Sequence, residues 1–199
     1  MKKNSPLRTT NYELRTSRGF TLIEMIVATA LFSVVMLVSV GALLSLVAAN
    51  RKAQALHSVM NNLNVALDGM VRSIRMGSTY HCGGGDYTVP QDCLNGDALL
   101  AFEPFGGDLN DGQDQWVYFY DETTNRIYKS DNSGINSLAI TAPSVTIDDL
   151  TFYVIGTERG DTTQPKVVIS ILGTANAENA KARTTFHIQA TAVQRILDL

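Results

Sequence analysis

Charge is nearly absent from one long stretch of this sequence. Between Arg18 and Arg51 the only charged residue is Glu24, and most of the other side chains are apolar. Residues 20–49 would form a helix about 45 Å long, whereas a bilayer core is only about 30 Å thick. The lack of charge therefore excludes a solvated segment here, and it predicts a helix that spans a membrane and projects beyond it.

An excess of positive charge is also lacking outside the N-terminus. Residues 1–19 contain five basic residues and one acidic residue, so the rest of the chain has 11 basic and 18 acidic residues and a net charge of −7. Such a chain has no basic stripe to neutralise phosphates, which excludes a dedicated nucleic-acid binder. The basic N-terminus before an apolar helix predicts a cytoplasmic N-terminus, with everything after Arg51 outside.

Cysteine is scarce, because Cys82 and Cys93 are the only two in the chain. The four ligands of a zinc finger are therefore absent, and His81 with the two cysteines makes at most a partial zinc site. On the exported side of a membrane a disulfide is favoured, and it would contribute about 3 kcal/mol by closing a loop of about a dozen residues. The segment 77–97 is rich in glycine and polar residues, and we expect it to be a loop.

The sequence does have a distinctive heptapeptide, Arg-Gly-Phe-Thr-Leu-Ile-Glu, from Arg18 to Glu24. It resembles the processing motif of type IV prepilins and type II secretion pseudopilins. The resemblance implies that a prepilin peptidase cleaves between Gly19 and Phe20, that Phe20 is then N-methylated, and that Glu24 acts in assembly. It also implies a structural subunit rather than an enzyme, with other pilin or pseudopilin subunits and an assembly platform in the membrane as partners.

Two other interpretations of the apolar segment remain open. A secretory signal peptide, cleaved near residues 47–49, has an apolar core of about 7 to 15 residues and no acid, so this segment is too long for one. A plain membrane anchor for an exported binding or enzymatic domain explains the length. It gives no role to Glu24, although a carboxylate at mid-bilayer costs roughly 2 to 4 kcal/mol. Glu24 therefore favours the subunit interpretation.

The helical pattern continues beyond the apolar segment. Apolar residues recur there at intervals of three and four, in one stripe: Leu56, Met60, Leu63, Leu67, Met70 and Ile74. Such a stripe is typical of a helix with one buried face. It predicts a single helix from about residue 20 to residue 76, ended by Gly77, whose second half packs on a sheet. A coiled-coil seam with a partner chain is the alternative.

After Gly96 the pattern changes to the period of two that is typical of strands. The predicted strands are 98–102, a hairpin of 116–120 and 126–129 around the turn 121–125, then 151–155, 167–172, and a last strand in which Phe186, Ile188, Ala190 and Ala192 alternate with polar residues. These elements predict an α+β fold, in which the long N-terminal helix packs on an antiparallel β-sheet with one wet face, and the resemblance implies that this fold is pilin-like.

The predicted organisation has four parts: a cleaved cytoplasmic leader of residues 1–19, a transmembrane and fibre-core helix of 20–49, an amphipathic helix of 50–77, and an exported β domain of 78–199. The resemblance implies an inner-membrane protein surrounded by lipid before assembly, and a pilus or pseudopilus subunit afterwards. The aromatic hairpin, the apolar strand Leu150–Val154 and a closing strand that ends in Arg195 also resemble the J-type minor pseudopilins.

Residues that could bind a metal are few. Asp108, Asn110, Asp111 and Asp114, around Gly112, resemble a calcium loop, but their spacing is one residue short of the usual pattern. A solvated acidic turn is the favoured alternative. We therefore expect no cofactor, with calcium in this loop as the exception to test.

No catalytic motif is recognisable. The three histidines, His57, His81 and His187, fall on three different predicted elements, and no serine or cysteine nucleophile is recognisably paired with a base. The run Gly83–Gly85 follows no predicted strand and opens no helix, so it does not form a phosphate-binding loop. The sequence therefore predicts no enzymatic activity.

Overall fold

The computed structural model describes residues 19–109, 111–160, 163–175 and 184–196. The chain divides into two compact units, Met1–Val47 and Ala48–Leu199. One helix, α1 (Leu22–Met76), is 55 residues long and contributes to both units.

In the first unit, the protein leaves the apolar side chains of α1 uncovered. All described residues up to Val47 are exposed, and the most apolar window of the helix has a mean hydropathy of 2.5. The hydroxyls of Thr29, Ser33 and Ser39 donate to backbone carbonyls one turn earlier, at 2.7 to 3.0 Å. Such bonds satisfy the hydroxyls without water, as a membrane interior requires. Within the described residues, α1 is the one helix long and apolar enough to cross a membrane.

In the second unit, α1 has one buried face. Its buried residues recur at intervals of three and four: Val59, Leu63, Leu67, Met70 and Ile74. They share one hydrophobic core with side chains of the strands, among them Phe102 and Phe152. The prediction that the helix packs on a sheet is confirmed, and the alternative of a coiled-coil seam is wrong.

The strands of the described chain follow the helix: β1 (Ser78–Cys82), β2 (Cys93–Asp97), β3 (Leu99–Glu103), β4 (Trp116–Asp121), β5 (Arg126–Ser130), β6 (Ser137–Ala139), β7 (Val145–Ile155), β8 (Lys166–Ala175) and β9 (Thr184–Val193). They form two antiparallel sheets, with strand orders β1-β3-β4-β5-β6 and β2-β7-β8-β9. The predicted α+β fold is confirmed. The expectation of a single sheet is wrong, because alternation shows which face a residue occupies and not which strands pair.

The segment 77–97 is not the loop that the sequence predicts, because it contains two strands. The residues Thr79–Cys82 of β1 are buried, β1 pairs with β3, and β2 pairs with β7 in the other sheet. The side chains of β1 are mostly polar, so the sequence lacks the apolar pattern from which a buried strand is predicted. Two of these side chains find partners inside the protein: the Tyr80 hydroxyl donates to a helix carbonyl at 2.7 Å, and His81 Nδ1 lies 2.7 Å from a loop carbonyl.

Gly77 follows the last residue of α1, as predicted, but it does not act as a left-handed cap. Its N–H bonds to the Ser73 carbonyl at 3.0 Å, and the nearest positive φ comes later, at Thr79 (49°). A Cβ at Gly77 would overlap the Phe102 ring and lie 2.9 Å from the Glu103 carbonyl oxygen. Glycine is therefore needed because the end of α1 passes directly against β3.

The predicted hairpin is confirmed. β4 and β5 pair from Val117 opposite Ser130 to Asp121 opposite Arg126. The Asp121 carboxylate opens the turn by accepting the N–H of Thr123 at 2.9 Å, which is the usual role of aspartate at this position. The alternation predicted for the last strand is also found, since the polar residues of β9 face solvent.

Candidate processing and assembly site

The bond between Gly19 and Phe20 lies just before α1 and is open to solvent. Phe20 is 78% exposed, and nothing beyond the adjoining residues lies within 4 Å of a Cβ built on Gly19. The helix begins at Leu22, so neither residue is held in it. A peptidase can therefore reach this bond without unfolding any other part of the described chain.

The first turn of α1 has a capping arrangement that the sequence analysis missed. Thr21 Oγ1 accepts the backbone N–H of Glu24 at 3.3 Å, and the Thr21 carbonyl accepts the N–H of Met25 at 3.2 Å. Thr21 is thus the N-cap and Glu24 the third helical residue, and the Thr21 side chain makes one of the two bonds of a capping box. A carboxylate in the first turn is also favoured by the helix dipole. The spacing Thr-x-x-Glu was the signal in the sequence.

The Glu24 carboxylate has no partner within the described residues. The bond to Thr21 uses the backbone N–H of Glu24, and neither ion pair of the described chain includes its side chain. The neighbouring side chains of Ile23 and Met25 are apolar and exposed. A charge that pairs with this carboxylate must therefore come from beyond the described part of the chain.

Cys82 and Cys93 are joined by a disulfide, with their Cα atoms 5.8 Å apart. The bond connects β1 of one sheet to β2 of the other, so it ties the two sheets together covalently. Neither sulfur is then a thiolate that could bind zinc together with His81, which is itself buried.

The carboxylates of the predicted calcium loop do not cluster. Asp108 and Asp111 are exposed, whereas Asp114 is half-buried and its Oδ2 accepts the N–H of Asp108 at 3.0 Å. Asn110 lies outside the described residues. In the described parts of the chain, no three His, Cys, Asp or Glu side chains are grouped so that they could hold a metal ion.

Two buried polar residues that the sequence analysis missed lie at the base of this loop. Glu103 is the last residue of β3 and is 2% exposed, and Gln115, just before β4, is 1% exposed. Gln115 Nε2 donates to Glu103 Oε2. Burial raises the pKa of Glu103, and the negative charge of Asp114 raises it further. The sequence carried no signal for this, because the burial depends on how the loop folds over the strand ends.

The three histidines lie on α1, β1 and β9, as predicted. No serine is recognisably paired with a base in the sequence, but the structure brings one such pair together, since Ser170 Oγ in β8 lies 3.0 Å from His187 Nε2 in β9. The pairing of these strands, which the sequence does not reveal, places Leu172 opposite His187 and Ser170 two residues away. No carboxylate of the described chain bonds to the imidazole of His187, so the pair is a cross-strand hydrogen bond without a triad.

The comparison with protein families decides the nature of the N-terminus. Residues 14–40 match the family described as "Prokaryotic N-terminal methylation motif". The N-terminal segment is similar to this motif family, which is consistent with a prepilin-like N-terminus. The motif supports a prepilin-type precursor and is consistent with a structural protein, and the exposed apolar half of α1 supports a single-pass membrane anchor.

The match ends at residue 40, so it does not reach the segments that resemble J-type pseudopilins. No curated protein and no solved structure matches the chain. The motif and the geometry around it are therefore the basis for a functional proposal.

Proposed function

We propose that this chain is a minor pilin or pseudopilin subunit of a type IV pilus or type II secretion pseudopilus. A prepilin peptidase cleaves after Gly19, Phe20 is N-methylated, and the first half of α1 then moves from the membrane into the core of a helical fibre. The observation that carries the proposal is the methylation motif at residues 14–40, followed directly by a helix half with no protein cover.

The charge distribution supports one orientation. The five basic residues of 1–19 precede the apolar half of α1, which favours a cytoplasmic N-terminus and an extracytoplasmic second unit. A disulfide between Cys82 and Cys93 fits the same orientation, because disulfides persist outside the cytoplasm. The proposed partners are the lipid bilayer before assembly, the prepilin peptidase, the assembly platform and other pilin or pseudopilin subunits.

Glu24 has a specific role in this proposal. Cleavage frees a cationic amine on Phe20, and Glu24 lies four residues further on, about 6 Å deeper along the helix. Subunits of a helical fibre are staggered, so the amine of one subunit can meet the Glu24 carboxylate of its neighbour. Removing one partner of such a buried pair leaves an uncompensated charge, which costs about 3 to 5 kcal/mol.

The test compares Glu24→Gln and Glu24→Ala with Thr21→Val as a matched control. Thr21→Val removes the side-chain cap but keeps the carboxylate. We expect all three variants to be inserted and cleaved normally, as mass spectrometry of the N-terminus can show.

Incorporation is then scored by crosslinking of the second unit to fibre subunits in the producing cell. For both Glu24 variants we expect the yield of crosslinks to be lower than that of the wild type by a factor of about ten or more. The yield for Thr21→Val should be close to that of the wild type. Normal incorporation of both Glu24 variants would contradict the proposal and favour a plain membrane anchor for an exported domain.

A further inference from the structure

The two sheets of the described chain have four edge strands, and three of them are closed to a further strand. β6 is only three residues long, and β2 has an irregular register and a residue with positive φ, Gly96 (82°). β1 is covered by the segment before β2, since Gln91 donates to the Tyr80 carbonyl at 2.9 Å and accepts the N–H of Cys82 at 3.1 Å. Short length, bulges and a covering loop are usual protections of an edge against unwanted pairing.

The fourth edge strand, β9, has none of these protections. It pairs with β8 in a continuous register along all ten residues of its length. Its sequence contains no proline, no glycine and no Lys, Arg, Asp or Glu. From Thr185 to Val193 the described chain supplies no backbone partner except β8. The backbone N–H and C=O groups of alternate residues in this stretch therefore point away from β8, towards the position of a further strand.

The side chains of β9 indicate what a further strand must present on each face. Ile188 and Ala190 lie opposite fully buried isoleucines of β8, yet they are themselves only half-buried. The hydrophobic core therefore extends to the margin of the sheet and is not closed there. The side chains on the other face are polar and exposed: His187, Gln189 and Thr191. A strand that fits this edge has apolar residues on the core side, alternating with polar residues on the wet side.

The symmetry of the proposed fibre restricts which chain can supply this strand. An edge that pairs with a copy of itself does so about a twofold axis, and such a contact closes into a dimer. Identical subunits of a helical fibre meet through two different surfaces instead. The β6 edge of a second copy is too short to match β9, because it has three residues and β9 has ten. The added strand must therefore belong to a different subunit.

We propose that β9 pairs with an extended strand of a different, neighbouring pilin or pseudopilin subunit, which extends the sheet β2-β7-β8-β9 by one strand. Since the neighbour is a fibre subunit, this pairing rests on the proposed function. Strand addition gains affinity from main-chain hydrogen bonds and specificity from alternate side chains. The apolar residues of the neighbour cover Ile188 and Ala190, and this match fixes the register of the two strands.

Photocrosslinking in the producing cell tests the pairing. A photoreactive phenylalanine analogue replaces His187, Gln189 or Thr191 in turn in the full-length chain, and mass spectrometry maps the crosslinked residues of the neighbour. Because side chains on one face of a strand recur every two residues, we expect the crosslinked position in the neighbour to move by two residues at each step. The analogue at Leu138, in β6, should give no such series. Steps of three or four residues, which indicate a helix, or crosslinks to a second copy of this chain would overturn the proposal.

The matched variants are Ala190→Lys and Thr191→Lys, which place the same charge on opposite faces of β9. With the analogue at Gln189, Ala190→Lys should lower the yield of crosslinks about tenfold or more, because the added strand would bury the charge without a partner. Thr191→Lys leaves its charge in water, and its yield should stay close to that of the wild type. Urea unfolding in detergent shows whether both variants fold, and equal yields from two folded variants would overturn the proposal. The series of crosslinks from the wild type tests the pairing even if Ala190→Lys does not fold.

The same cells distinguish a failure of this pairing from a failure of the proposed function. A wild type that is incorporated into the fibre but gives no series of crosslinks from β9 would overturn the strand pairing alone. Normal incorporation of both Glu24 variants would contradict the proposed function, and the pairing with it.

Discussion

The two halves of α1 differ in the side chains that they expose to solvent. Up to Val47 every described side chain is exposed and most are apolar, whereas the half from Ala48 to Met76 buries one stripe and exposes polar residues on its other faces. Both halves have the backbone of one regular helix. An amphipathic helix can thus bury its apolar stripe against its own chain, whereas a uniformly apolar helix needs other molecules around it.

The energetic reason is the cost of leaving apolar surface in water, about 25 cal/mol per Å². The second half of α1 avoids this cost by packing on the sheets. The first half has no such partner in the described chain, and in the proposed function lipid, and later the helices of neighbouring subunits, provide one.

The largest effect is expected from equal truncations in the two halves. Leu63 is fully buried and Leu37 is 76% exposed. We expect Leu63→Ala to lower the free energy of unfolding of the second unit by about 2 to 5 kcal/mol, because it opens a cavity in a packed core. Leu37→Ala should leave it unchanged. Urea unfolding in detergent, followed by the fluorescence of Trp116, measures both variants. Equal losses in the free energy of unfolding would contradict the difference between the two halves of α1.

Removing the disulfide is expected to cost nearly as much. The double change Cys82→Ala and Cys93→Ala should lower the free energy of unfolding by about 3 kcal/mol, since it releases a constraint on the unfolded chain. The oxidised wild type is the reference, and addition of a reductant should bring it close to the variant. Two freely alkylated cysteines in the native, unreduced protein would contradict the disulfide.

A smaller effect is expected at Gly77, where the second half of α1 meets β3. Gly77→Ala should cost about 1 to 3 kcal/mol, because the added methyl overlaps the Phe102 ring. Gly69, within the helix, has open space around its Cβ position. Gly69→Ala should therefore stabilise the helix by about 0.5 to 1 kcal/mol. Urea unfolding measures both variants. If the two substitutions changed the free energy of unfolding in the same direction, close packing would not explain why residue 77 is glycine.

The smallest effect is expected at the N-cap of the first half. Thr21→Val removes the acceptor of the Glu24 N–H and should cost about 1 kcal/mol of local helix stability. Hydrogen exchange in detergent should show faster exchange for the amides of residues 22–25 alone. The unfolding of the second unit should not change, and a change there would contradict the independence of the two halves.

The sequence predicts the parts of this protein whose signals are local. The course of α1, the hairpin of β4 and β5, and the motif around Gly19 follow from periodicity and from a continuous heptapeptide. The roles of Phe20 in methylation and of Glu24 in assembly stay predictions, although the free carboxylate and the motif agree with them.

The remaining features depend on contacts between distant segments. β1 escaped prediction because its polar side chains are satisfied only when the tertiary structure supplies partners such as the helix carbonyl bonded to Tyr80. The burial of Glu103 and Gln115 depends on the path of a loop, and the pairing of Ser170 with His187 depends on strand register. None of these three features produces a periodic pattern in the sequence from which it could be predicted.

The most direct test of the central claim is the mass of the mature N-terminus, measured for the wild type and for Gly19→Glu in cells with an active prepilin peptidase. We expect the wild type to begin at methylated Phe20 and the variant to keep all 199 residues. A second prepilin in the same cells shows that the peptidase is active. A wild type that begins at Asn50, or that stays uncleaved while the second prepilin is processed, would contradict the account.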